Sequence, residues 1–176
     1  MSIRVYQGIN PQLDKDVFVD DTALVLGDVS IGADSSIWPM TVLRGDVNKI
    51  CIGARTNIQD NSVIHVTHPN EGMPDGHAVL VGDNVTVGHR VILHGCHIGD
   101  CCLVGMGSTV MDGAVLEPRV LLGAGSLVSP GKVLTGGYLW LGSPVRKIRP
   151  LTDEERQWID YSAEHYVELK NRHLIG

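Results

Sequence analysis

The chain has 176 residues, of which 43% are hydrophobic, 19% are charged and only 5% are aromatic, and its formal net charge at pH 7 is −6. This composition predicts one globular domain, and the negative charge disfavours nucleic acid and anionic membranes as partners. No apolar run approaches the roughly 20 residues of a membrane helix, and the first ten residues lack the apolar segment of a secretion signal, so we predict a cytoplasmic protein.

The first predicted element is a repeat of six residues that begins at Leu13. An aliphatic residue recurs at every sixth position, often followed by glycine, and in the later blocks a small residue stands in the fifth place. The first aliphatic positions are Leu13, Val19, Val25, Ile31, Ile37 and Leu43, and the last are Ile98, Val104, Val110, Leu116, Leu122 and Val128. An amphipathic helix or a simple alternating strand would not produce this period.

Three interruptions break the repeat in the middle of the chain. Leu43 and Ile52 are nine residues apart, and Leu93 and Ile98 are only five apart. Between Ile64 and Val81 lies a loop rich in proline, glycine and asparagine, which shows no repeat.

The repeat predicts a solenoid of β-strands with three flat faces. Each block forms a short strand and a corner, three blocks form one coil, and stacked coils hydrogen-bond like strands about 4.8 Å apart. We name the faces a, b and c after the blocks that begin at Ile31, Ile37 and Leu43. The predicted fold class is an all-β solenoid over residues 1–150. Such hexapeptide repeats resemble the left-handed parallel β-helix family, and this resemblance supplies the handedness, which the period does not fix.

The last predicted element is one helix in residues 151–176, which packs along the solenoid or a neighbouring subunit. Thr152 and Glu155 have the spacing of a capping box. The residues expected to form its packing face follow a helical spacing and are Trp158, Tyr161, Tyr166 and Leu169.

The four cysteines, Cys51, Cys96, Cys101 and Cys102, fit neither a metal motif nor a disulfide framework. We expect them to be reduced and to fill small spaces in or near the core.

The register of the repeat decides how the histidines are used. His65 and His94 are both second in face-c blocks of adjacent coils, so they are expected to stack, pointing outward, at a distance at which two imidazoles can share one metal ion. His89 is third in a face-b block and lies around the corner. A neighbouring subunit would have to supply it, with its face b against this face c. Repeated three times, this contact closes a ring that suits a triangular prism.

A second pair of residues predicts the same docking. Arg44 lies directly below His65 in the preceding coil, and Asp60 lies directly below His89, with Gln59 beside it. The docking would therefore bring Arg44 to Asp60 as an ion pair. A single histidine on a β surface is usually only solvated, but three in one register with a matching ion pair favour a metal site.

Several stretches resemble the γ-class carbonic anhydrase-like proteins, and the resemblance covers nearly the whole chain. They are "VLRGD", "GARTNIQDNSVIH", "VGHRVILHGCHIGDCCLVGMGS", "LGAGSLV" and "YLWLGSPVRKIRPL". The resemblance implies a homotrimer with a zinc ion at each interface, bound by His65 and His94 of one subunit and His89 of the next. Three imidazoles would also accept Fe²⁺ or Co²⁺.

The implied reaction is the reversible hydration of CO2 to bicarbonate by a metal-bound hydroxide. By resemblance, Gln59 would hydrogen-bond the metal-bound water and Asn57 would orient that water or CO2. The residues implied to hold the interface and position bicarbonate are Arg44, Asp46 and Asp60, and Tyr138 is expected to line the pocket.

The sequence departs from the prototype at the acidic residues that move protons. Val47 follows Asp46 where a glutamate is expected, and His68 stands in place of the other glutamate. We treat His68 as a candidate proton shuttle, because histidine titrates near neutral pH. Without an efficient shuttle, hydration would be weak or absent.

Three other functions fit the same repeat. A metal-dependent acyl-CoA thioesterase would need a wider cleft, walled by residues 66–80 and the C-terminal helix. A hexapeptide acyltransferase would use CoA and a catalytic histidine without needing three metal ligands. A non-catalytic, metal-binding trimeric scaffold would need no substrate at all.

Overall fold

The computed structural model describes residues 2–175, which form twenty short strands and one helix. The strands are β1 (Ile3–Arg4), β2 (Gln12–Leu13), β3 (Phe18–Val19), β4 (Leu24–Ile31), β5 (Ser36–Ile37), β6 (Val42–Ile52), β7 (Asn57–Ile58), β8 (Val63–His65), β9 (Val79–Val81), β10 (Thr86–Val87), β11 (Ile92–His94), β12 (His97–Ile98), β13 (Leu103–Val104), β14 (Thr109–Val110), β15 (Val115–Leu116), β16 (Leu121–Leu122), β17 (Leu127–Val128), β18 (Val133–Leu134), β19 (Tyr138–Leu141) and β20 (Arg146–Pro150). The helix α1 spans Asp153–Ile175. No helix in residues 2–175 combines the length and hydropathy needed to cross a membrane.

The strands wind into a left-handed parallel β-helix with the predicted three faces. Face b is a ladder that runs from β3 through β5, β7, β10, β13 and β16 to β19. Face c continues from β6 through β8, β11 and β14 to β17, and face a from β6 through β9, β12 and β15 to β18. The predicted register is confirmed, since Leu43 pairs with Ile64 and Ile64 pairs with Leu93.

The core is a stack of the aliphatic side chains that begin each block. Ile37, Ile58 and Val87 of face b are fully buried, as are their counterparts on face c. Burying each such side chain contributes about 1.5–3 kcal/mol, so the long regular stack replaces the aromatic core that the sequence lacks. Trp140 occupies the same position in β19, where its Nε1 donates to the Thr135 carbonyl oxygen at 3.1 Å, and it closes the stack at one end.

All three interruptions of the repeat fall at the corner between faces c and a, in successive coils. The first is a bulge at residues 46–49 within β6, and the second is the loop of residues 66–78. The amide of Asn48 donates to the carbonyl oxygens of Thr67, at 3.1 Å, and Asp75, at 2.8 Å, and so ties the bulge to the loop. The third is a tight turn at Gly95, whose φ of +54° favours glycine. The irregular backbone is therefore concentrated beside His65 and His94.

Helix α1 lies along face b and contacts β5, β7 and β10. Its predicted capping box is confirmed: the backbone N–H of Glu155 donates to Thr152 Oγ1 at 3.2 Å, and the N–H of Thr152 donates to Glu155 Oε2 at 2.9 Å. Face b is thus the face that the helix covers, whereas no helix lies on face c in the described part of the chain.

The predicted packing face of α1 only partly contacts the solenoid of its own chain, and its packing against a neighbouring subunit stays a prediction. Trp158 and Tyr161 are 58% and 54% exposed, and Tyr166 is half-buried. The buried residues of the helix are Ile159, Ala163, Val167 and Lys170. The helix therefore packs on face b mainly through Ile159, Ala163 and Val167.

Candidate metal centre

Two histidines meet on face c. The strands β8 and β11 pair in parallel with His65 opposite His94, which confirms the predicted stacking. Nδ1 of His65 and Nε2 of His94 are 3.1 Å apart. Both side chains are half-buried. Arg44, in the preceding coil, lies opposite His65 in the strand register, as predicted.

A carboxylate orients each of these two rings. Nε2–H of His65 donates to Asp46 Oδ1 at 3.1 Å, and Nδ1–H of His94 donates to Asp112 Oδ1. Asp46 belongs to the bulge in β6, and Asp112 follows β14 in the coil after His94. Because each carboxylate accepts from the far side of its ring, the proton is fixed there and the two facing nitrogens keep their lone pairs.

This arrangement fits a zinc-type ion. Two lone pairs at 3.1 Å repel each other unless a cation lies between them, and two nitrogen ligands of a tetrahedral zinc ion are about 3.3 Å apart. Burial lowers the pKa of His65, as does the positive charge of Arg44, while Asp46 opposes the shift, so the neutral ring that a metal requires is favoured. Within residues 2–175, no group of three or more His, Cys, Asp or Glu side chains is arranged so that it could hold a metal ion.

His89 lies at the corner between faces b and c, apart from the histidine pair. Its Nδ1–H donates to Asp60 Oδ2 at 2.8 Å, which leaves Nε2 for another partner. The side chain is 45% exposed, so it is accessible from outside the chain. The predicted position of Asp60 below His89 is confirmed. Each of the three histidine rings is therefore oriented by a hydrogen bond to a carboxylate.

Comparison with known proteins shows the family of the chain. No family model matches the chain. The chain is 53% identical over 172 residues to Protein YrdA of Escherichia coli (strain K12), a match that covers 98% of this chain and 94% of that protein. It is also 48% identical over 167 residues to "Gamma carbonic anhydrase 2, mitochondrial" of Arabidopsis thaliana, covering 93% of this chain and 59% of that one. The chain belongs to the γ-class carbonic anhydrase-like family.

A solved structure supports the fold of this γ-class-like chain. A hexapeptide transferase family protein from Anaplasma phagocytophilum has a TM-score of 0.89 and 44% identity, with 96% of each chain covered.

Asn57 and Gln59, which the γ-class resemblance singled out, point outward from face b into its contact with α1. They are 1% and 5% exposed. Gln59 Nε2 donates to Asn57 Oδ1 at 3.0 Å, and Asn57 Nδ2 donates to Thr86 Oγ1 at 3.0 Å. Thr86 in turn bonds the Ser162 hydroxyl of the helix at 3.0 Å. Asn57 therefore uses its amide to hold Gln59, which lines a cavity of about 280 Å³ beneath α1.

Arg44 bonds Asp46 of its own chain. Its Nη1 donates to Asp46 Oδ2, and the Arg44 side chain is 43% exposed. Burial raises the pKa of Asp46, but the hydrogen bonds from Arg44 and His65 outweigh burial and hold that pKa below its usual range. The predicted Arg44–Asp60 pair between subunits would therefore compete with two contacts inside the chain, because Asp60 already accepts from His89.

Two predicted residues are not brought to the histidines of their own chain. Tyr138 lies in β19, three strands beyond β10 on face b, and Lys147 Nζ lies 3.3 Å from its ring centroid. His68 is exposed in the loop of residues 66–78. Their roles in the γ-class reaction stay predictions.

A pocket of about 620 Å³ opens beside His94. Its polar end holds His77, His94 and Asp112, and the rest of its lining is Met73, Met111, Gly113, Pro130 and Gly131. The loop of residues 66–78 forms one wall, as the thioesterase alternative predicted. The helix forms no wall, because it lies on face b.

Asp112 is the site residue that the sequence analysis missed. It is third in the face-c block that begins at Val110, one coil beyond His94. The same register that paired His65 with His94 therefore carried the signal. Burial raises the pKa of Asp112, but the hydrogen bonds from His94 and Thr67 lower it further, so the carboxylate is ionised near neutral pH.

The two buried cysteines are poor candidates for metal ligands or nucleophiles. Cys96 and Cys102 are buried, and burial raises the pKa of each thiol to about 12, so neither forms a thiolate readily. Cys51 and Cys101 are half-buried, and none of the four forms a disulfide.

Proposed function

We propose that the protein is a metal-dependent γ-type carbonic anhydrase, which hydrates CO2 reversibly at sites shared between the subunits of a homotrimer. The observation that carries the proposal is the pair of facing ring nitrogens of His65 and His94, 3.1 Å apart and each oriented by a carboxylate. Membership of the γ-class-like family supports the choice of reaction.

The ligands would be Nδ1 of His65 and Nε2 of His94 from one subunit, and Nε2 of His89 from its neighbour. These donors suit Zn²⁺, and Fe²⁺ or Co²⁺ would fit them too. When bound, such an ion supplies the Lewis acidity that ionises water near neutral pH and makes it a nucleophile for CO2. The protein's own part is to fix the ligands, keep them neutral and place a positive charge nearby.

The exposed apolar residues support a subunit contact between face c and the b–c corner. Val63 and Ile92, on face c beside the histidine pair, are 40% and 43% exposed. At the corner, Met106 follows His89 by one coil, and Met40 lies two coils before Arg90, the residue after His89; they are 58% and 64% exposed. The six-residue register predicted a contact between face b of one subunit and face c of the next. Because α1 covers face b, we place the contact at the corner instead.

The remaining site residues would act around this contact. Arg44, one coil below His65, brings a positive charge to the place where bicarbonate would form. Gln59 lies one residue before Asp60, but it is buried beneath α1 and bonded to Asn57, so its side chain would have to turn out of this contact to reach the neighbour's site. Asn57 would fix Gln59 through their 3.0 Å hydrogen bond rather than touch CO2 itself.

A metal-dependent thioesterase is the second candidate, and the pocket beside His94 favours it. Its volume of about 620 Å³ far exceeds what CO2 needs, and the side chains of Met73, Met111 and Pro130 suit an acyl chain. The CoA-dependent acyltransferase and the non-catalytic scaffold have no comparable support in the geometry around the histidines.

The decisive experiment is stopped-flow CO2 hydration by protein loaded anaerobically with zinc or ferrous iron. His89→Ala should abolish turnover, since it removes the ligand that serves the neighbouring subunit. His97→Ala is the matched control, because His97 is exposed on face a and should leave turnover unchanged.

Each outcome decides between the candidates. Turnover well above background that is lost in His89→Ala supports the carbonic anhydrase. One metal ion per subunit without hydration overturns it, and the same samples would then be assayed with acyl-CoA thioesters of increasing chain length. Hydrolysis there supports the thioesterase, and its absence leaves the metal-binding scaffold.

A further inference from the structure

We propose that Asp112 is a positioning residue that holds His94 ready for metal and couples it to the loop of residues 66–78. The proposal rests on the metal site proposed above. Asp112 Oδ1 accepts from His94 Nδ1–H, and Asp112 Oδ2 accepts from the Thr67 hydroxyl at 2.5 Å. Both oxygens of the carboxylate are therefore engaged, one by the ligand and one by the base of the loop.

The contact to His94 fixes the state of its ring. A carboxylate accepts from Nδ1 only if that nitrogen carries the proton, and the lone pair then lies on Nε2, which faces His65. The His94 side chain is 33% exposed and that of Asp112 27%, so water competes only in part for this hydrogen bond. Without Asp112, the ring would exchange tautomers and rotate more freely. A metal ion would then have to order it.

The backbone around Asp112 keeps the carboxylate in place. The N–H of Gly113 donates to the carbonyl oxygen of Gly95 at 2.7 Å, which fixes the turn that carries Asp112 to the turn after His94. Gly113 and Gly95 both have positive φ, +67° and +54°. The two turns stack closely, so Asp112 cannot move away from His94 without breaking this contact.

Thr67 connects the same carboxylate to the loop. Its backbone exchanges hydrogen bonds with His77, at 2.9 and 3.0 Å, which close the base of the loop. Asn48 also donates to the Thr67 carbonyl oxygen. A displacement of the loop would therefore move the Thr67 hydroxyl and release Asp112 Oδ2. The loop that walls the pocket thus influences how firmly His94 is held.

Asp112 is the third carboxylate that orients a histidine of the proposed site. Asp46 orients His65 and Asp60 orients His89, each through the ring nitrogen remote from the expected metal. Such carboxylate partners raise the basicity of a histidine ligand and fix its orientation, and their loss typically costs 10- to 100-fold in metal affinity.

The test compares Asp112→Ala, Asp112→Asn and Thr67→Val in the whole chain of 176 residues. Zinc affinity is measured by competition with a chelating dye, and the tautomer of His94 is measured in metal-free protein by ¹⁵N NMR of labelled histidine. We expect Asp112→Ala to weaken zinc binding by about 10- to 100-fold and to release the His94 tautomer. Asp112→Asn should lose less zinc affinity, since the carbonyl oxygen of the new side chain can still accept from Nδ1–H of His94. Thr67→Val should lose the least zinc affinity of the three variants.

Asp100→Ala is the matched control. Its carboxylate accepts from the backbone N–H of Asp83 at 2.9 Å and so stabilises a turn of the solenoid. The proposal is overturned if the zinc affinity of Asp112→Ala lies within twofold of that of this control and the His94 tautomer is unchanged.

Because the His94 tautomer is measured without metal, it distinguishes a failure of this proposal from a failure of the proposed function. If the wild-type protein binds no zinc, the proposed function fails, and a released His94 tautomer in Asp112→Ala still supports the positioning role. If Asp112→Ala does not fold, Asp112→Asn and Thr67→Val decide, since a graded loss supports the proposal and no change in either overturns it.

Discussion

Glu155 is held in its ionised form by two neighbours. Arg149 donates to both of its oxygens, at 2.7 and 2.8 Å, and the backbone N–H of Thr152 donates at 2.9 Å. These hydrogen bonds, the pair from Arg149 first, lower the pKa of Glu155 to about 2 from an ordinary value of 4.5. The carboxylate thus joins the end of β20 to the start of α1.

The lowered pKa predicts a specific acid sensitivity. A carboxylate whose pKa is lower in the folded than in the unfolded state stabilises the fold above about pH 4.5, and this contribution is lost as the pH falls towards 2. Because the Glu155 carboxylate is close to solvent, we expect its contribution to the free energy of unfolding to be only about 1 kcal/mol. Glu155→Gln should therefore lower the free energy of unfolding in urea by more at pH 7 than at pH 2.5, where most of this contribution is lost.

Glu71→Gln, in the exposed loop, controls for the loss of one surface charge. Equal destabilisation of Glu155→Gln at both pH values would contradict the assignment, since it would show that packing rather than charge is lost.

Residues of the site were predictable where the six-residue period fixes their stacking. His65 beside His94 and Asp60 below His89 follow from counting alone, because parallel coils repeat in register. Asp46 could not be placed as the partner of His65, because it lies in the bulge that interrupts the count. The burial of Asn57 under α1 depends on where the helix docks, which the repeat does not encode.

At the scale of elements, α1 is anchored by a buried lysine. Lys170 has no exposed surface, and its Nζ donates to the carbonyl oxygen of Asp16 at 2.7 Å and to Asp34 Oδ1 at 2.8 Å. The Asp34 side chain is 38% exposed, so it stays partly hydrated. The contact fixes the last turns of the helix to the first coils of the solenoid, more than 130 residues earlier.

We predict that Lys170→Ala destabilises the protein by about 3 kcal/mol, because it removes two hydrogen bonds and leaves a cavity under the helix. Lys170→Met should cost less, since it keeps most of the buried aliphatic stem. The free energy of unfolding is measured in urea.

Arg172→Ala is the control for that prediction. Arg172 lies on the same turn of the helix, and among residues 2–175 its one ion pair is the exposed contact with Glu168 at 3.7 Å, which should be worth well under 1 kcal/mol. If Lys170→Ala costs no more than Arg172→Ala, the buried lysine does not anchor the helix.

The helix illustrates what a sequence pattern can and cannot specify. Its existence and its first turn follow from the local spacing of Thr152 and Glu155. Its packing face does not, because hydrophobicity alone favoured Trp158, whereas the helix buries Ile159, Ala163 and Val167. The role of Lys170 depends on partners that are distant in sequence, and no local pattern marks them.

The whole molecule is a three-sided prism, and α1 packs against face b. Helix α1 occupies face b, while face c carries the histidine pair and the corner carries His89. A contact between face c of one subunit and the corner of the next is head-to-tail, and it closes into a ring if each step turns by a third of a circle. Each proposed metal site would then use residues of two chains.

Such a ring predicts rescue between two inactive variants. In a mixed trimer of His89→Ala and His94→Ala subunits, one contact of the three joins an intact His65–His94 pair to an intact His89. Random mixing at equal amounts gives mixed trimers in about three quarters of cases, so about one quarter of the wild-type sites are restored.

We therefore expect each variant alone to bind no stoichiometric zinc, and the two variants refolded together at equal amounts to recover about one quarter of the wild-type zinc content. The control mixes His89→Ala with His89→Ala,His94→Ala, which can restore no site. Zinc content, measured per trimer after size-exclusion chromatography, does not depend on which reaction the site performs. Recovery near one quarter requires that His89 serves a different chain from His94. No recovery from a well-formed mixed trimer would mean that the three histidines do not share a site between subunits, and the docking of corner against face c would have to be abandoned.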